Sequence, residues 1–100
     1  MINVSITKDN VKYKRIVVSG HALYDDYGKD IVCSAVSSIT TTTINGILSL
    51  DKDSLSYEVN EDGLEIIINS DDNVTQTLIQ NMINLLRELE SNYPANVKVK

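Results

Sequence analysis

The chain carries one histidine and one cysteine, His21 and Cys33, and they flank the same short segment. Cys33 stands three residues after Asp30, whose short carboxylate suits a helix N-cap because it can accept bonds from the free N–H groups of the first turn. A thiol in that turn would feel unpaired N–H groups and the positive end of the helix dipole, and both favour the thiolate. An imidazole beside it can take the proton, giving the nucleophile and base of a thiol protease, and free N–H groups there can stabilise an oxyanion. A carboxylate at Asp30 opposes thiolate formation unless its charge is spent on the cap or on orienting His21; the cap is the favoured role.

Blander roles compete for the same residues. A lone cysteine on an amphipathic helix is most often a small buried hydrophobe, and a lone histidine by a loop an ordinary hydrogen-bonding residue. His21, Cys33 and Asp30 fall short of the four ligands of a closed zinc site, so no metal and no cofactor are expected. Ser19, Ser34, Ser37 and Ser38 lack a Gly-x-Ser-x-Gly elbow, which leaves capping or packing as their default.

The elements that must position these residues follow from periodicity. Ile2, Val4 and Ile6 alternate with polar residues, as in a half-buried strand, and Lys8-Asp9-Asn10 turns the chain. A second strand is expected over residues 11–19, with a bulge or two-sided burial where Ile16, Val17 and Val18 break the alternation. Residues 20–29 read as a loop. Val32, Ala35, Val36 and Ile39 then mark a helical stripe that continues through Ile44, Ile47 and Leu48, although Thr40 to Thr43 are poor helix formers. Residues 55–59 and 64–68 form a hairpin around a four-residue connection. Leu78, Met82, Leu85, Leu86 and Leu89 mark a second helix, with Ser70, Asp71 and Asp72 as capping candidates. Pro94 ends it, and Val97 and Val99 begin a short last strand. The order β-β-α-β-β-α-β predicts a single α+β domain over residues 1–100, a two-layer sandwich with a mostly antiparallel sheet and two helices on one face.

Composition narrows the setting. The net charge is −5, and the nine Lys and Arg are scattered, which disfavours a phosphate-tracking surface: no direct nucleic-acid contact is required, and a basic polypeptide is the easier partner. One cysteine forms no internal disulfide, the N-terminus lacks the pattern of a signal peptide, and no segment reads as about 20 continuous apolar residues. The expectation is a cytoplasmic protein without a membrane.

Gly20-His21-Ala22, followed by Gly28-Lys29-Asp30-Ile31-Val32-Cys33-Ser34-Ala35-Val36-Ser37, closely resembles the signature of the ribosomal-processing cysteine protease family, Prp. The motif covers about a sixth of the chain, and element order and length outside it also resemble that family. The resemblance implies an endopeptidase that removes the N-terminal extension of a basic large-subunit ribosomal protein, cutting beside aromatic residues. It makes Cys33 the nucleophile and His21 the general base, with Gly20, Asp30 and Ser37 shaping the site. Ser34 stands where related sequences commonly have alanine. The family is typically homodimeric, so a homodimer is expected. Within the segment 22–29, Leu23, Tyr24 and Tyr27 are the groups available to close over an aromatic substrate residue, with Gly28 as the hinge. A different class, a non-catalytic ribosome-associated binding or assembly protein, would have no need of an intact His21 and Cys33 pair.

Overall fold

The computed structural model describes residues 1–20 and 27–100, with residues 27–30 described by their backbone. The elements are β1 (Ile2–Asp9), β2 (Lys12–Ser19), α1 (Tyr27–Leu50), β3 (Leu55–Asn60), β4 (Gly63–Ile68), α2 (Asn73–Asn92) and β5 (Val97–Val99). The expected order is the observed one. The strands form one sheet in the order β3-β4-β2-β1-β5, antiparallel throughout except where β5 runs parallel to β1.

The alternation in β1 and β2 puts Ile2, Val4, Ile16 and Val18 on the face covered by the helices, each almost wholly buried. Tyr13 is buried on that same face although it stands three positions, an odd number, before Ile16. A bulge resolves the parity: Thr7 pairs with Arg15 and Lys8 with Tyr13, so Lys14 is the extra residue. The irregularity expected near Ile16 to Val18 therefore sits two residues earlier. Gln76 of α2 attends to the bulge, accepting from the Tyr13 N–H at 2.8 Å and donating to the Tyr13 carbonyl at 3.1 Å.

The hairpin is tighter than expected. Its loop is Glu61-Asp62 alone, with Asn60 pairing with Gly63, and the Asn60 side-chain oxygen accepts from the N–H groups of Asp62 and Gly63. Gly63 adopts φ +145°, and a Cβ there would stand 1.9 Å from the Val18 carbonyl oxygen. Only glycine lets β4 begin this close to β2.

Helix α1 buries Val32, Val36, Thr40, Ile44 and Ile47. Its threonines survive in a helix because Thr40 and Thr43 donate to the carbonyls of Val36 and Ile39, each at 2.9 Å, which satisfies their hydroxyls. Ile31–Leu50 does meet the length and mean hydropathy of a membrane span, contrary to the sequence expectation, because Ser and Thr replace charges over 20 residues. Its buried stripe faces the core, and its exposed face carries Ser34, Ser38, Thr42, Asn45 and Ser49. Asp72 is the N-cap of α2, accepting from the Thr75 N–H. Of the expected α2 series, Met82 and Leu86 are fully buried and Leu78 and Leu89 pack half-buried against the core, Ile79 and Ile83 join them, and Leu85 is exposed.

Candidate active site

Helix α1 begins at Tyr27, three residues before the expected N-cap. Asp30 therefore lies within the helix and does not cap it, and Tyr27, Gly28 and Lys29 are helical rather than part of a loop. Cys33 moves from the first turn to the second, where its own N–H belongs to the helical ladder. Helix-end stabilisation of a thiolate falls off within the first turn, so the dipole contributes less to Cys33 than the sequence suggested. The cause lies in the segment 27–30: glycine and aspartate are weak helix formers, and propensity alone placed the start too late.

What surrounds Cys33 is a groove of about 340 Å³ between α1 and the β3–β4 hairpin. The thiol is free and half-buried in its lining, packed against the core. Ser37 and Thr41, one and two turns on, line the same groove, as does Gly20 at the end of β2. Three signature positions, Gly20, Cys33 and Ser37, are thus brought to one cleft. Gly20 takes φ +82°, and a Cβ there would lie 2.2 Å from the Met1 carbonyl oxygen, so its identity is fixed by backbone packing. His21 follows Gly20 in sequence and lies outside the described residues, as do Leu23 and Tyr24.

The far wall was not anticipated. Leu55, Tyr57 and Val59 share the helix-side face of β3, because their cross-strand partners are Ile68, Ile66 and Leu64. Their exposure rises from 2% at Leu55 through 50% at Tyr57 to 70% at Val59, so the helical layer withdraws from the strand toward the hairpin tip. The withdrawal creates the groove. The signal in the sequence was the apolar alternation of β3, which promises three buried residues where the helices cover one. Among the described residues the groove wall contains no charged side chain, so it suits a neutral or apolar occupant. Among the described residues, no cluster of His, Cys, Asp and Glu could hold a metal ion.

A family model for the cysteine protease Prp matches residues 1–98. The chain belongs to the Prp cysteine protease family. The ribosomal processing cysteine protease Prp of Staphylococcus aureus is 29% identical over 103 residues, covering 99% of this chain and 97% of its own. Crystal structures of S. aureus Prp with a covalently linked product peptide and with a substrate peptide each superpose with a TM-score of 0.87 at 27% identity, covering 100% of this chain and 98% of that one. A Streptococcus mutans structure gives a TM-score of 0.89 at 26% identity, over 100% of this chain and 92% of that one. The α+β fold of this chain is the Prp fold, and Prp chemistry is ribosomal processing by a cysteine protease.

Proposed function

We propose that this chain is a cysteine endopeptidase in which Cys33 is the nucleophile and His21 the general base, and whose substrate is the N-terminal extension of a basic large-subunit ribosomal protein. The observation that carries the reading is the position of Cys33: the single cysteine of a chain in a cysteine protease family is a free thiol lining a groove that, among the described residues, carries no charge. A merely structural cysteine would sit inside the core with Val32 and Val36, which are 0% and 5% exposed.

The reaction follows from the groups available. The Cys33 sulfur, deprotonated by His21, attacks the scissile carbonyl; the tetrahedral adduct collapses to a thioester as His21 protonates the departing amine. Water, deprotonated by His21, then releases the acid and restores the thiol. Gly20 fixes the backbone at the end of β2, the residue before His21 in sequence, and Ser37 lines the groove one turn beyond Cys33. The peptide complexes of the S. aureus relative support a polypeptide substrate. The acidic net charge favours encounter with a basic ribosomal protein, in the cytoplasm where such proteins are made. The assembly is a homodimer in this reading, and the exposed face of α1 over residues 31–50, which carries no charge, is a surface two copies can share.

The deciding experiment is incubation of the protein with a peptide spanning the extension and the mature N-terminus, read by mass spectrometry. Wild type is expected to give two products, and Cys33→Ala none while melting normally. Cleavage by Cys33→Ala at the wild-type rate would sink the assignment.

A further inference from the structure

The hydrogen-bonding direction of every strand can be followed across the sheet. Ile2 and Ile6 donate to Asn96 and Lys100, and Val4 accepts from Lys100, so even-numbered residues of β1 bond toward β5. Odd-numbered residues of β1 must then bond toward β2, through Asn3↔Ser19, Ser5↔Val17 and Thr7↔Arg15. That leaves Ile16 and Val18 to bond Ile66 and Leu64 of β4, and leaves Glu65 and Ile67 to bond Glu58 and Ser56 of β3. The opposite end gives the same parity, since Asn69 donates to Ser54 at 2.8 Å. The N–H and C=O groups of Tyr57 and Val59 therefore point away from the sheet, along an edge of β3 that pairs with no other strand among the described residues.

These are the two residues whose side chains line the groove above Cys33. An exposed edge strand is a pairing template that proteins ordinarily blunt with proline, charge or cover, yet here the outward-bonding positions Leu55, Tyr57 and Val59 are all apolar, and the last two are half or more exposed. We infer that the occupant of the groove is an extended polypeptide segment that pairs with β3 as a sixth strand, hydrogen-bonded to the backbone of Tyr57 and Val59, with alternate side chains entering the groove. The inference rests on Cys33 being the nucleophile. It makes recognition partly independent of sequence, because backbone bonds supply affinity while the groove reads every second side chain. Among the described residues the wall carries no charged side chain, which favours uncharged residues at those alternate positions.

The test uses an apolar tetrapeptidyl chloromethyl ketone, whose chloride the Cys33 sulfur displaces to form a thioether, with iodoacetamide as the small reagent that needs no edge. The ketone is expected to alkylate Cys33 much faster than iodoacetamide does, relative to their rates with a free thiol. N-methylation of one peptide amide at a time should slow it roughly five- to tenfold at alternate positions only, the worth of one lost hydrogen bond. Val59→Pro removes an outward N–H without touching the β3–β4 ladder, and should slow the ketone but not iodoacetamide; Val59→Ala keeps the N–H and should retain most of the rate. No peptide advantage, or an N-methyl profile without alternation, overturns the inference, and neither reading depends on a variant folding. A dimer that Val59→Pro converts to monomer also overturns it, because the edge would then belong to a second copy. If the ketone behaves as expected while the ribosomal extension peptide is not cleaved, the substrate assignment falls and the edge pairing stands.

Discussion

Gly20 lies so close to Met1 that a Cβ on it would stand 2.2 Å from the Met1 carbonyl oxygen, and it holds a backbone conformation, φ +82°, that other residues avoid. The first residue of the chain thus braces the point where β2 leaves the sheet toward His21. Gly20→Ala should cost about 1–3 kcal/mol in denaturant melts, from a strained φ and a backbone displaced at one end of the groove. Cleavage should fall further than the lost stability explains. Full activity in a destabilised Gly20→Ala protein would separate the brace from the site.

The proposed role of His21 predicts a change in the pH dependence of Cys33. In wild type, alkylation by iodoacetamide should persist to lower pH than in His21→Ala, because imidazolium stabilises the thiolate. Placement of Cys33 in the second helical turn sharpens this expectation, since less help comes from the helix end. Superimposable pH profiles would remove His21 from the mechanism.

Asp72 offers a stability probe remote from the groove. A hydrogen bond from the Ser70 hydroxyl, then one from the Thr75 N–H, hold its carboxyl below the usual carboxylate range. Because the folded form binds this proton less readily than the unfolded chain, the stabilisation is complete above about pH 4, the ordinary carboxylate value, and is lost as pH falls through the lower folded one. Urea melts of wild type and Asp72→Asn between pH 7 and pH 2 should converge as the solution becomes more acid. Parallel curves would show that the cap carries no net charge dependence.

Gln76 should be among the costliest side chains to shorten outside the hydrophobic core. It is buried, and its amide satisfies the Tyr13 N–H and C=O and the Ser70 carbonyl. Gln76→Ala leaves buried backbone groups unpaired and should lose about 1–3 kcal/mol. Cleavage per folded molecule should be unchanged, which thermal melts and an activity assay run side by side will show.

Where sequence and structure agree, the period of the pattern was decisive. Ile2, Val4, Ile16 and Val18 announced strands, and Val32, Val36, Ile44 and Ile47 announced one face of a helix, because burial on a single face leaves no other arrangement. Helix ends were less legible. Asp30 looked like a cap by residue type, yet the helix begins at Tyr27, since tertiary packing can carry a helix through glycine and aspartate. In α2 the leucines drew attention away from Ile79 and Ile83, which share the buried stripe; helical spacing at i, i+3, i+4 admits both sets until packing chooses. The groove was invisible for a different reason. The apolar alternation of β3 is in the sequence, but it does not reveal that the helical layer buries Leu55 and leaves Tyr57 and Val59 exposed.

The bulge at Lys14 has an evolutionary side. Because Lys14 is the one residue of β2 without a counterpart on β1, a chain lacking it would join Tyr13 directly to Arg15, opposite the adjacent Lys8 and Thr7, and every remaining side chain would keep its present face. It would forfeit the ion pair of Lys14 with Asp71, an exposed contact of little worth. Removal of any single residue from Arg15 to Ser19 would instead turn one part of the strand inside out relative to the other. Between Lys14 and Ser19, Lys14 is therefore the one position whose loss leaves every other side chain on its face, and it lies at the opposite end of β2 from the cleft.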